Sequence, residues 1–190
     1  KKPENENMII KDMSMSYLYI SHPIFVKLYS KVCGFTGTIG KGKDKLLYEK
    51  QYNLMTKKVP RDKPNKRVEL PMVLCDNRKE RNEKIVSEIL EFHKKENPVL
   101  VIFQGLNEID EVRKLLIKKK IYSINVFNGK DENMTPEKIA GQPNAISLGT
   151  NVCGRGTDIK IYNKKKPLHV IISYYTSNSR VINQAHGRTA

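Results

Sequence analysis

Between residues 67 and 173 the sequence alternates short apolar runs with longer stretches whose apolar residues recur every three or four positions. The runs are RVELPMVLC (67–75), VLVIF (99–103), YSINVFN (122–128), AISLGT (145–150) and LHVIIS (168–173). Asn77 to Lys95 places Ile85, Ile89 and Phe92 on one helical face, and Asn107 to Lys119 does the same with Ile109, Val112, Leu115 and Leu116. Asp76 or Asn77 can cap the first of these helices. Strands that are continuous apolar runs are buried on both faces, and strands joined through helices run parallel. The pattern therefore predicts an α/β fold: a mainly parallel sheet in a three-layer sandwich with helices on both faces.

The chain has 190 residues, enough for one sizeable core. Its 38% hydrophobic and 29% charged residues describe a globular chain, not a disordered one. VLVIF is the longest unbroken apolar stretch, far short of the roughly 20 residues a membrane-spanning helix needs. The start, KKPENENM, lacks a signal peptide's apolar region. Cys33, Cys75 and Cys153 show no CxxC spacing, and His22, His93, His169 and His186 are scattered, so neither a disulfide framework nor a metal site is expected. This usage fits the cytoplasm or another reducing compartment, and a peripheral place at a membrane is compatible with it.

The net charge of +15 raises nucleic acid as a partner, because Lys and Arg neutralise phosphates. Only 8 of the 35 basic residues are Arg, however, and the Lys residues sit in short runs such as 118–120 and 164–166. That distribution fits a solvated lysine-rich surface better than a nucleic-acid binding face.

Ahead of the alternating region, helices are expected at about 23–31 and 45–55, and VPRDKPNKR (59–67) reads as a Pro-punctuated connector. Between the two helices, Gly37-Thr-Ile-Gly-Lys-Gly-Lys43 matches the first seven positions of the phosphate loop GxxxxGK[ST]. A candidate strand, KVCGF, precedes it. The next residue is Asp44 instead of the hydroxyl residue that ligates Mg²⁺, and its carboxylate would oppose the phosphates. The stretch is better described as a Gly/Lys-rich turn.

Parallel sheets bind ligands beyond the carboxyl ends of their strands, which directs attention to the turns there. After AISL comes GTNVCGRGTDI (149–159). In it Gly154 and Gly156 permit close approach of the backbone, Arg155 supplies a planar cation, and Asp158 can accept from ribose hydroxyls or Arg. In SRVINQAHGRTA (179–190), Arg180, Gln184 and Arg188 stand four apart, on one face of a helix, and Gly187 adds room for a close neighbour.

These motifs resemble those of the SecA family, ATPase motors of protein translocation, and specifically the family's second nucleotide-binding, RecA-like domain. HPIFVKLYSKVCGFTGTIG is similar to NYFRLYxKLAGMTGTA, and NPVLVIFQGLNEIDEVRKLLIKKKI to QPVLVGTxSIExSExLSxLLKKxGI. NVFNGK is similar to HxVLNAK, GTNVCGRGTDIKI to ATNMAGRGTDIxL, and RVINQAHGRTA to RIDNQLRGRSGRQGD. The order is colinear over most of the chain.

The resemblance implies a helicase-like motor in which ATP and Mg²⁺ are held between two RecA-like domains, the first of which carries the phosphate loop and the metal-binding carboxylates. It assigns residues 32–190 to the second domain and 1–31 to an extension with a linking helix. Thr36, Gly37 and Thr38 match the element that couples nucleotide state to domain movement. Gly154, Arg155, Gly156, Thr157 and Asp158, together with Gln184 and Arg188, match residues facing the nucleotide and the other domain. Arg180 matches an Arg that can pair with an acid there. Expected partners are the first RecA-like domain, unfolded polypeptide and a translocation channel.

Departures from the family pattern limit these expectations. The family's arginine finger would fall just after Ala190, and such a finger is worth roughly 10³ to 10⁵ in rate, so this stretch alone is expected not to hydrolyse ATP. YYTSNS replaces the family's TERHES, and the segment after GRGTD is shortened to YNKKK. Half of a nucleic-acid helicase or translocase, and a catalytically retired interaction domain, are the alternatives.

Overall fold

The computed structural model describes residues 19–40, 42–60, 62, 64–127, 136–151, 159–176 and 178–189, without the side chains of Asp44, Pro136, Ser179, Arg180 and Thr189. Its helices are α1 (His22–Lys27), α2 (Lys43–Tyr52), α3 (Arg78–Lys94), α4 (Leu106–Lys118), α5 (Pro136–Ile139) and α6 (Ser179–His186). The strands are β1 (Val99–Phe103), β2 (Ile124–Phe127), β3 (Ile146–Thr150) and β4 (His169–Ile172). They form one sheet in the order β2-β3-β1-β4, with every pair parallel.

All five residues of β1 are buried, as a central strand covered on both faces requires. Because side chains alternate along a strand, Val99, Val101 and Phe103 join Ile146 and Leu148 on one face, where α3 and α4 contribute Ile85, Ile89, Ile109, Val112 and Leu116. Leu100 and Ile102 point the other way, into a second cluster with Ala140, Ile159 and Ala185 of α6. The three layers expected from the alternating pattern are present. His169 is a packing residue: its ring stacks 3.5 Å from that of Phe92 on α3, and its Nε2 lies 2.7 Å from Glu88 Oε1.

Helix α3 starts where its cap dictates. The Asn77 side chain accepts from the Glu80 N–H at 3.0 Å, and Glu80 Oε2 accepts from the N–H of Asp76, just before the cap, at 2.9 Å. A hydrogen bond from Lys84, and then the one from Asp76, hold the Glu80 carboxyl below its ordinary value. A carboxylate depressed in the folded state stabilises above the ordinary Glu range, and that contribution is lost as the pH falls through the folded value. Below about pH 4, therefore, the amides of the first turn of α3 should exchange faster while those of β1 do not. Asn77→Ala should cost about 1 kcal/mol at neutral pH, measurable by urea denaturation.

Two expectations about strands are corrected. Residues 67–75 join no strand among the described residues, and Val68, Leu70, Met72, Val73 and Leu74 are exposed. Pro71 in the middle of the run has no N–H for a ladder, and the described sheet is already covered on both faces without it. KVCGF (31–35) is likewise exposed and unpaired, so no strand leads into the glycine-rich turn. That turn has Gly40 and Gly42 at φ 94° and 54°, and α2 follows from Lys43. The strand-to-helix setting of a phosphate loop is missing there, in keeping with the objection that Asp44 raised.

Candidate functional site at the carboxyl edge of the sheet

The carboxyl ends of β1 and β3 lie side by side, Phe103 level with Thr150. After β1 the chain turns through Gln104 and Gly105 into α4, on the first face. Beyond β3 it passes to Ile159, buried in the cluster on the second face. Adjacent parallel strands whose connections diverge to opposite faces leave a crevice between them, the usual ligand position in open α/β sheets. In the sequence the GRGTD motif follows β3, whose carboxyl end borders this crevice. Gly154, Arg155, Gly156, Thr157 and Asp158 themselves lie outside the described residues.

Polar contacts organise this edge. The Tyr174 hydroxyl, just past β4, bonds Oδ1 of Asn151, the first residue after β3, and so ties the exit of one strand to the start of the motif-bearing turn. Ser173 Oγ donates to Glu108 Oε2 at 3.4 Å, and Arg81 Nη1 reaches Glu108 Oε1 at 3.4 Å, which joins β4, α4 and α3. Sequence reasoning missed these contacts. Tyr174 stands inside YYTSNS, which the resemblance marks only as a departure from the family pattern.

The third motif folds as α6 followed by a single 3-10 turn, Gly187–Thr189. Ala185 is buried beneath it and fixes its orientation against the sheet. Gln184 is half-buried, and its Nε2 donates to Thr38 Oγ1 at 3.3 Å. Thr38 in turn donates its N–H to Thr36 Oγ1 at 3.2 Å. Two motifs 146 residues apart are thus joined, with Gly37 exposed between the threonines.

One expectation at this motif is corrected in detail. Gln184 and Arg188 do not share one unbroken α-helical stripe, because the α-helix ends at His186. The 3-10 turn advances about 120° per residue against about 100° in an α-helix, which rotates the half-buried Arg188 off the line through Gln184. A side chain at Gly187 would meet nothing within 4 Å among the described residues, as at Gly37, so packing against the described residues does not explain either glycine.

Among the described residues no group of three or more His, Cys, Asp or Glu side chains could hold a metal ion. Cys33 and Cys75 are free thiols. No helix among them is long and apolar enough to cross a membrane.

A parallel sheet with helices on both faces and a divergent crevice at its carboxyl edge defines a RecA-like, P-loop-type α/β domain. The SecA P-loop domain profile matches residues 64–189, and the chain belongs to the SecA family. It is 31% identical to the protein translocase subunit SecA of Halothermothrix orenii over 97% of its own length and 22% of that protein. The SecA subunit of Syntrophus aciditrophicus is likewise 31% identical, and that of Mycoplasma mycoides 30%, over 97% of this chain and 22% and 20% of theirs. The chain therefore spans about a fifth of the length of these relatives. The matched range begins after residues 37–44, so the family match does not rest on the glycine-rich turn.

Proposed function

We propose that residues 32–190 are the second RecA-like half of a SecA-like motor that uses ATP to move unfolded polypeptide through a channel, with residues 1–31 as an extension bearing a linking helix. One observation carries this reading: the hydrogen bond from Gln184 to Thr38, which joins the coupling element to the nucleotide-facing motif. A contact of this kind lets a change at bound nucleotide reach the segment around residues 36–38.

In this reading ATP lies between the two halves. Arg155 and Arg188 supply positive charge to its phosphates, Asp158 a carboxylate to its ribose or to a facing Arg, and Gln184 an amide. Gly154, Gly156 and Thr157 shape the turn that approaches it, and Arg180 pairs with an acid of the first half. Magnesium, when bound, neutralises phosphate charge. Its carboxylate ligands belong to the first half.

The full-length motor tests the reading. Gln184→Ala should slow ATP turnover roughly three- to tenfold, the size of a single hydrogen bond, with the fold intact because the amide is only half-buried. Turnover equal to wild type would remove the proposed link.

A second reading has an observation of its own. The strands' amino ends are fed by the turns at Lys94–Asn97, Lys118–Ser123 and Tyr162–Leu168, so the exposed Lys94, Lys118, Lys119, Lys120, Lys164 and Lys165 collect on the edge opposite the crevice. A helicase or translocase half would use such an edge on nucleic acid. RNA or DNA binding that weakens steeply with salt would favour this reading, and its absence at low salt would dismiss it.

A further inference from the structure

The connector that precedes α3 is tied to the far end of the chain at one residue. Arg67 is largely buried, its side chain 18% exposed, although both its neighbours are exposed. Its Nη1 donates to the carbonyl oxygen of His186 at 3.3 Å, while Nε and Nη2 donate to Glu69 Oε1 at 3.0 and 2.5 Å. The same Glu69 oxygen lies 3.8 Å from His186 Nδ1. The hydrogen bonds from Arg67, then its charge and that of His186, hold the Glu69 carboxyl below the usual Glu value, so it stays ionised near neutral pH.

His186 is the last residue of α6, and its carbonyl is among those that no later residue of the helix can satisfy. Helix carboxyl ends also carry partial negative charge, which favours a cation at this place. Arg67 therefore caps α6 from 119 positions away in the chain, with Glu69 orienting its guanidinium. The cap sits two residues beyond Gln184, which is held by Thr38. Residues 39–66, including all of α2, are thus fastened to the same short stretch of α6 at both ends.

We propose that Arg67 and Glu69 form a clamp that positions the carboxyl end of α6, and with it Gln184 and Arg188, and that the α2 arm transmits its movement to the nucleotide edge through this clamp. They are positioning residues, acting through α6 and not on the nucleotide. The kinetic part of the proposal rests on the ATP-site reading above, whereas the clamp itself does not.

The test uses the full-length protein with Arg67→Ala, Arg67→Lys and Glu69→Gln, and with Arg188→Ala as reference. In Arg67→Ala the amides of residues 183–189 should exchange about tenfold faster, the scale of one lost charge-assisted hydrogen bond, while those of β1 and β3 keep their rates. The kcat for ATP hydrolysis should fall by about the same factor with KM within about twofold, because orientation and not affinity is lost. Arg67→Lys should recover only part of both effects, since one ammonium cannot serve Glu69 and the His186 carbonyl in the fork geometry. Glu69→Gln should act in the same direction and more weakly.

Exchange at 183–189 and kcat both unchanged in Arg67→Ala, with kcat lowered in Arg188→Ala, would overturn the clamp and leave the ATP-site reading standing. Turnover unaffected by Arg188→Ala would sink the ATP-site reading instead. The exchange rates alone then decide the clamp, faster supporting it and unchanged overturning it.

Discussion

Gly141→Ala should lower the unfolding free energy by about 3 kcal/mol or more, the upper end of what overpacking a buried site costs. A Cβ on Gly141 would stand 1.9 Å from the Lys160 carbonyl oxygen and 2.8 Å from its carbonyl carbon, so backbone must move. The displaced segment, Ile159–Lys160, is where the chain returns to the second face after the GRGTD motif, and Ile159 belongs to the core there. Tyr162 also donates its N–H to the Gly141 carbonyl at 3.3 Å, fixing the two segments to each other. Gly105→Ala, whose Cβ would meet nothing within 4 Å among the described residues, is the natural control and should cost only the loss of a glycine N-cap, under about 1 kcal/mol. Urea melts of the two variants measure the difference directly. A Gly141→Ala midpoint equal to that of the control would show that the close approach is relieved without cost.

Arg155→Ala and Arg188→Ala should each reduce ATP turnover by the full-length motor about 10² to 10³-fold, the loss seen when one preorganised donor to developing charge is removed. A Lys at either position keeps the charge but not the planar fork, so it should restore only part of the rate. Because both residues are assigned to the nucleotide side of one interface, the double variant should lose much less than the product of the single losses. Melting temperatures close to wild type would show that the loss is catalytic. Unchanged turnover in both single variants would leave the motif without its assigned role.

The core of this domain could be read from the sequence because its elements are strongly periodic. VLVIF became β1 with the expected bounds, and α4 fell within one residue of the expected start and end at each side. Asn77, one of two expected caps, is the one that accepts from Glu80. RVELPMVLC misled because an apolar run states a preference for burial but not whether a strand edge is there to pair with it. The glycine-rich turn misled in a similar way, since spacing alone cannot show that no strand precedes it.

The candidate site is marked in the sequence by motif and not by contact. Thr38 and Gln184 both lie in motifs of the sequence, yet no local pattern connects residues so far apart, and only folding α6 against the sheet brings them within hydrogen-bonding distance. Arg67 gave no signal at all, because an Arg in a charged connector is usually solvated. Its burial and its bond to the His186 carbonyl are consequences of tertiary structure.

The central claim, that this chain completes an ATP site from its second side, is tested most directly by hydrogen exchange of the full-length motor with and without a nonhydrolysable Mg-ATP analogue. The account predicts slower exchange at residues 36–38, 150–158 and 184–188 together, with β2 and the amino-edge turns unaffected. Slowing confined to the phosphate-loop half of the motor, with all three segments of this chain unchanged, would contradict it.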